Sequence, residues 1–135
     1  MFKTVLFPID GSREAREAVD IVVNLVQQYN SRLVILSVVE EVSLEEPNDA
    51  EMASPELVAG LLQEAQSLFF NHGINPEVLE KQGKAAFTIC DVADEVGANL
   101  IVMGCRGLGL TQEGANDSVT TRVINLSPCP VLVIP

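Results

Sequence analysis

Apolar positions along the chain fall into short runs that alternate with helically spaced stripes. Lys3 to Ile9 (KTVLFPI) is a run rich in β-formers, the signature of a parallel strand covered on both faces. Pro8 has no N–H to give a ladder, so it is expected at the strand's end. Asp10-Gly11-Ser12 breaks the run, and Ser12 is a suitable helix N-cap. Ala15, Ala18, Val19, Val22, Val23 and Val26 then recur at spacings of three and four. They make one apolar face of a helix that Asn30 and Ser31 close. Leu33 to Val39 (LVILSVV) reads as the next strand, and the acidic, aperiodic Glu40 to Ala53 as a loop. Ser54-Pro55-Glu56 starts a second helix with a cap, a Pro at the first position and an acid in the first turn. Its expected buried face is Leu57, Val58, Leu61, Ala65, Leu68 and Phe69. Gly73 is expected to end it in a left-handed conformation.

The second half continues the alternation. Asn75 to Gln82 (NPEVLEKQ) predicts an edge strand with alternating polar residues. Lys84 to Val96 predicts a helix with Ala86, Ile89, Val92, Ala93 and Val96 inward and Gly97 at its end. Leu100 to Met103 is a buried strand and Gly104 to Asn116 a glycine-bearing loop. Ser118 to Leu126 is a short helix and Val131 to Ile134 the final strand. The result is five strands alternating with four helices in residues 1–135, read as a single domain without linker or repeat. Such alternation predicts an α/β fold: one parallel sheet, right-handed crossovers and helices on both faces. Sheets of this kind bind ligands outside the strands' carboxyl ends, where the strand order reverses.

Composition narrows the partners. The 135 residues are 47% hydrophobic but only 4% aromatic, so the core must be aliphatic. Lys and Arg number 8 against 19 Asp and Glu, for a net charge of -11. That balance disfavours nucleic acid and anionic membranes. A polyanionic ligand must then be gripped locally, by backbone N–H groups or by Mg²⁺. No apolar run approaches the ~20 residues of a membrane span, and MFKTVLFPIDGS is too short for a signal peptide. A cytoplasmic location is expected. Cys90, Cys105 and Cys129 show neither disulfide nor zinc spacing, so reduced thiols are expected. Cys90 and Cys129 are read as buried. Cys105 sits beside Arg106, whose charge would lower a thiol pKa. His72, the one histidine, reads as a solvated helix end.

The loop after the fourth strand, GCRGLGLTQEGANDSV, carries Gly104, Gly107 and Gly109. Glycine loops there can point successive N–H groups at phosphate oxygens, and the helix opening at Ser118 adds free N–H groups of its own. A plain tight loop is the competing reading. Asp10, after the first strand, either binds a ribose hydroxyl, metal or water, or only caps the next helix. Val38 and Val39 either present backbone groups to a base edge or are simple core.

Three segments carry a resemblance over the whole chain. VLFPIDGSREAREAVD, ANLIVMGCRGLG and SVTTRVINLSPCPVLVIP resemble the opening, the fourth strand with its glycine loop, and the ending of the universal stress protein family. The resemblance implies a Rossmann-like, five-stranded parallel sheet in order 3-2-1-4-5. It implies an adenine nucleotide, ATP or AMP, bound in stress response or signalling, without enzymatic turnover beyond a slow ATPase. ATP-binding members carry G-x2-G-x9-G-S/T. Gly104 and Gly107 match its first two glycines, and Ser118 its phosphate-binding hydroxyl. Val38 matches the position whose backbone reads adenine, Asp10 the acid near the ribose, and Arg106 and Val119 further nucleotide contacts. Pro8, Ile9, Met103 and Thr120 complete the implied binding set. Family members also pair their final strand in a homodimer, which would here cover the apolar edge Val131 to Ile134.

One position departs from the pattern: Asp117 stands where the third glycine belongs. A carboxylate about 4 Å from a phosphate costs up to ~4 kcal/mol per charge pair at an effective dielectric of ~20. Glu113 adds further negative charge. Asp117 either turns outward to cap the helix or holds Mg²⁺ against the phosphates. The alternative function is a dimeric interaction protein that does not bind nucleotide because of Asp117.

Overall fold

The computed structural model describes residues 2–9, 13–39, 55–104 and 119–134. The elements along the chain are β1 (Thr4–Ile9), α1 (Arg13–Tyr29), β2 (Arg32–Val39), α2 (Pro55–Phe70), β3 (Glu77–Gln82), α3 (Ala85–Val96), β4 (Leu100–Gly104), α4 (Val119–Leu126) and β5 (Val131–Ile134). The strands form one five-stranded sheet in the order β3-β2-β1-β4-β5, every neighbouring pair parallel. Both the alternation and the expected order 3-2-1-4-5 are therefore present.

The runs of apolar residues become strands because both sheet faces are covered. Val5, Phe7, Ile9, Leu33, Ile35 and Val102 face one core layer beneath α1 and α2. Leu6, Val34, Leu36, Ile101 and Met103 face the other, beneath α3 and α4. Phe7 meets Phe69 of α2 edge to face, with ring centroids 6.2 Å apart. The α1 face Ala18, Val19, Val22, Val23 and Val26 is buried as its spacing predicts. The α2 face differs. Leu62, Ala65 and Phe69 are buried, whereas Leu68 is 36% exposed. Leu68 lies 100° around the helix from Phe69, on the flank of the stripe rather than its centre. The side chains of Leu57, Val58 and Leu61 are outside the described residues.

Three helices stop in the same way. A residue in the left-handed region follows each: Asn30 (φ 51°), Gly73 (φ 78°) and Gly97 (φ 68°). The next amide then reaches back five residues: Ser31 to Val26 O (3.0 Å), Ile74 to Phe69 O (2.9 Å) and Ala98 to Ala93 O (2.8 Å). These are Schellman closures, which satisfy carbonyls left open at a helix end. α3 starts one residue later than predicted, because Lys84 is extended (φ -79°, ψ 128°). Before it, Gly83 has φ 148°, and a Cβ there would lie 2.7 Å from Thr88 Oγ1. The β3–α3 turn therefore requires glycine on both grounds. β3 is an edge strand with Glu77, Glu80, Lys81 and Gln82 exposed, as expected. The predicted loop Glu40 to Ala53 lies outside the described residues, as does the predicted loop Gly104 to Asn116 apart from Gly104, which is instead the last residue of β4 because it continues the ladder to β5. No described helix is long and apolar enough to cross a membrane.

Candidate functional site

Strand parity decides what the carboxyl edge offers. In a parallel strand each residue turns its N–H and C=O toward one neighbour, and successive residues alternate. Thr4 faces β4: its N–H donates to Asn99 Oδ1 (2.9 Å), and its C=O accepts from the Asn99 N–H (2.8 Å). Lys3 faces the other way, its C=O accepting from the Arg32 N–H of β2 (2.7 Å). Leu6 and Pro8 therefore face β4, while Phe7 and Ile9 face β2. The N–H that Pro8 lacks is missing on the β4 side alone.

The registers follow that parity. β1 pairs with β2 from Thr4↔Arg32 through Pro8↔Leu36 to Ile9↔Ser37. It pairs with β4 only at Val5↔Leu100 and Leu6↔Ile101. β4 nevertheless stays paired with β5 out to Gly104↔Ile134. The β1/β4 ladder thus ends short of the carboxyl edge, at the point where the strand order reverses. Pro8 is the penultimate residue of β1 rather than its last. Pro8 itself ends the β4 ladder, because the next rung would need its N–H on the Val102 carbonyl. On β4, Ile101 faces β5, its N–H donating to Pro130 O (3.0 Å). Val102 and Gly104 therefore turn their carbonyls toward the interrupted seam.

The same argument orients β2. Arg32 faces β1, so Val38 does too; Val39 faces β3, its C=O accepting from the Gly83 N–H (3.0 Å). Because the β1 register stops at Ile9↔Ser37, the Val38 C=O has no backbone partner among the described residues. It is an acceptor on the β1 side of the carboxyl edge, next to residues 10–12, which lie outside the described residues.

The described candidates gather at this one edge. Pro8 and Ile9 are buried at the end of β1, and Val38 is partly buried at the end of β2. Gly104 ends β4, while Val119 and Thr120 open α4. The Met103 side chain is fully buried in the core layer under the edge, so it supports the site from below. Asp10, Arg106, Gly107, Asp117 and Ser118 lie outside the described residues, as do Gly109, Glu113 and Cys105.

Buried polar side chains give an independent pointer. Among the described residues only Ser37 (3% exposed) and Thr120 (5%) are polar and buried. Both lie at the carboxyl edge. Thr120 Oγ1 donates to Gly104 O at 3.0 Å, tying the first turn of α4 to the end of β4. Sequence reading did not single out Ser37, although a lone hydroxyl within the apolar run LVILSVV was the available signal.

Other chemistry is quiet. Burial pushes the Cys90 thiol above its ordinary value, and Asp91 and Cys129 add to the effect. Burial also raises Cys129, against an opposing hydrogen bond from Ser127. Such thiols are poor nucleophiles at neutral pH. Cys129 is partly rather than fully buried, because it sits in the turn before β5. No group of three or more potential metal ligands occurs among the described residues. At the opposite edge of the sheet Arg32 grips Glu77 through both nitrogens of its fork, Nη2 to Oε1 at 2.9 Å. That grip holds the Glu77 carboxyl below its ordinary range.

A parallel sheet in this order defines a doubly wound α/β domain, a class whose ligands bind outside the strands' carboxyl ends where the strand order reverses. The profile of the universal stress protein family matches residues 1–135. A universal stress protein of Synechocystis sp. is 60% identical over 136 residues, covering 100% of this chain and 87% of the relative. One from Bacillus subtilis is 32% identical, covering 99% of both chains. Among solved structures, a universal stress protein in complex with cAMP has TM-score 0.81 and 26% identity, covering 99% of this chain and 97% of its own. The universal stress protein of Lactobacillus plantarum has TM-score 0.82 and 26% identity, with 99% and 98% covered. The chain belongs to the universal stress protein family.

Proposed function

We propose that this protein is a universal stress protein module that binds an adenine nucleotide, ATP or AMP, at the carboxyl ends of β1, β2 and β4, and acts by binding rather than turnover. The observation that carries the reading is the β1/β4 ladder that ends at Leu6↔Ile101, beside the Val38 carbonyl that faces the β1 side at the same edge. Val38 C=O is an acceptor suited to the exocyclic amine of adenine. The ribose then lies toward Asp10, and the phosphates toward Gly104, Gly107 and Ser118. The cAMP complex of a family member 26% identical to this chain supports an adenine ligand. Mg²⁺, where it takes part, would offset the charge of Asp117.

A second copy completes the module along β5. This edge is apolar: Leu132 is 37% exposed, and Ile124 on the neighbouring α4 is 53% exposed. Unpaired apolar edges need cover, and an isologous strand pairing supplies it.

The test is a thermal-shift titration with ATP and Mg²⁺. Ligand at ~100 times Kd adds ~2.7 kcal/mol of stability and raises the unfolding midpoint. Absence of any shift at millimolar ATP removes the reading. It favours instead the non-binding dimer that Asp117 suggests, in which case Asp117→Gly creates binding where none existed.

A further inference from the structure

We propose that Thr120 is a positioning residue for the ligand's phosphates: its hydroxyl masks the Gly104 carbonyl at the mouth of the β1/β4 seam. The inference rests on the nucleotide reading above and assigns Thr120 a role through Gly104, in place of direct contact. By parity with Ile101, whose N–H donates to Pro130, Gly104 turns its C=O toward β1. That is the side on which the ladder has ended. Left bare, this oxygen would present the negative end of a peptide dipole to the crevice. An anion held there by backbone N–H groups would meet it as a repulsion.

Thr120 Oγ1 donates to that oxygen at 3.0 Å. A threonine hydroxyl has one hydrogen, and this bond uses it. Thr120 therefore has no proton left to give a phosphate. What it supplies is the neutralised carbonyl and a fixed junction between β4 and α4, the two ends of the glycine-bearing segment. Its near-complete burial fits a group that acts on the protein's own backbone.

Isothermal titration of wild type, Thr120→Val and Thr120→Ser with ATP and with adenosine tests this. Valine keeps the shape and removes the donor; serine keeps the donor. We expect Thr120→Val to weaken ATP binding by about tenfold and leave adenosine within about twofold of wild type, with serine restoring ATP affinity. Equal weakening of both ligands by valine, or no change in either, overturns the assignment while the nucleotide reading stands. Wild type that binds neither ligand overturns both. Should Thr120→Val lack a cooperative thermal transition, Thr120→Ala replaces it in the same comparison.

Discussion

The seam between β1 and β4 is built differently at its two ends. At the amino end Thr4 is held twice by Asn99, once through the side-chain oxygen and once through the main chain. Nearby, Ser31 bonds Phe2 O, and Arg32 bonds Glu77. Every strand start on that side of the sheet from β3 to β4 is thus tied to a neighbour. At the carboxyl end the ladder stops after Leu6↔Ile101, and Pro8 offers no N–H to continue it. The two polar side chains buried in the described structure, Ser37 and Thr120, are at this end. A parallel sheet gains stability from an unbroken ladder, so an interruption with polar groups gathered around it is where the proposed ligand would complete the structure. On the proposed reading the amino end serves stability, and the carboxyl end serves binding.

Substitutions that act at one end should therefore leave the other property alone. The largest expected effect is on binding. Asp117→Gly removes the negative charge that the family pattern puts at the phosphate loop and should tighten ATP more than tenfold, since half of ~4 kcal/mol already exceeds the ~1.4 kcal/mol of a tenfold change. Calorimetry measures it, and an unchanged Kd means the carboxylate is turned away or bridged by a cation. Next, Asn99→Ala strips the acceptor from the Thr4 N–H at the amino end. A loss of about 1 kcal/mol in urea denaturation is expected, with nucleotide affinity unchanged. A change in affinity would break the proposed division of labour.

Pro8→Ala should have a smaller effect on stability. The new N–H faces the Val102 carbonyl and gains ~0.5–1.5 kcal/mol, offset by ~0.4–1 kcal/mol from the looser unfolded chain. Hydrogen exchange should find the introduced amide protected, while ATP affinity falls severalfold as the seam closes. An unprotected amide would show that Pro8 does not set the ladder's end. Smallest is Glu77→Gln, since the Arg32 pair is exposed and such pairs contribute little. The folded carboxyl titrates below its unfolded value, so its stabilisation is present above pH ~4.3 and is lost as pH falls through the folded pKa. The difference between wild type and Glu77→Gln in urea midpoint should accordingly shrink on acidification.

Local chemistry made much of the fold legible in the sequence. Asn30, Gly73 and Gly97 announce helix ends because few other residues adopt positive φ cheaply. The polar alternation of EVLEKQ and the continuous VLVI separate a strand that tolerates solvent from one that does not. Helical spacing was less decisive at Leu68, where a residue on the flank of a stripe reads the same as one at its centre. The candidate site was legible as a location but not as a geometry. Which way Val38 turns its carbonyl depends on pairing with a strand nearly thirty residues away, as Thr4↔Arg32 shows. The bond from Thr120 to Gly104 spans 16 positions and has no local periodic signature. Ser37 inside LVILSVV is visible as an oddity, but its position beside Ile9 exists only once β1 and β2 are in register.

Amide chemical-shift perturbation on titration with ATP and Mg²⁺ tests the central claim most directly. The account predicts saturable shifts at Ile9, Val38, Gly104 and Thr120, with Thr4, Arg32, Glu77 and Asn99 unmoved. Shifts confined to the second group, or none at millimolar ATP, would contradict it.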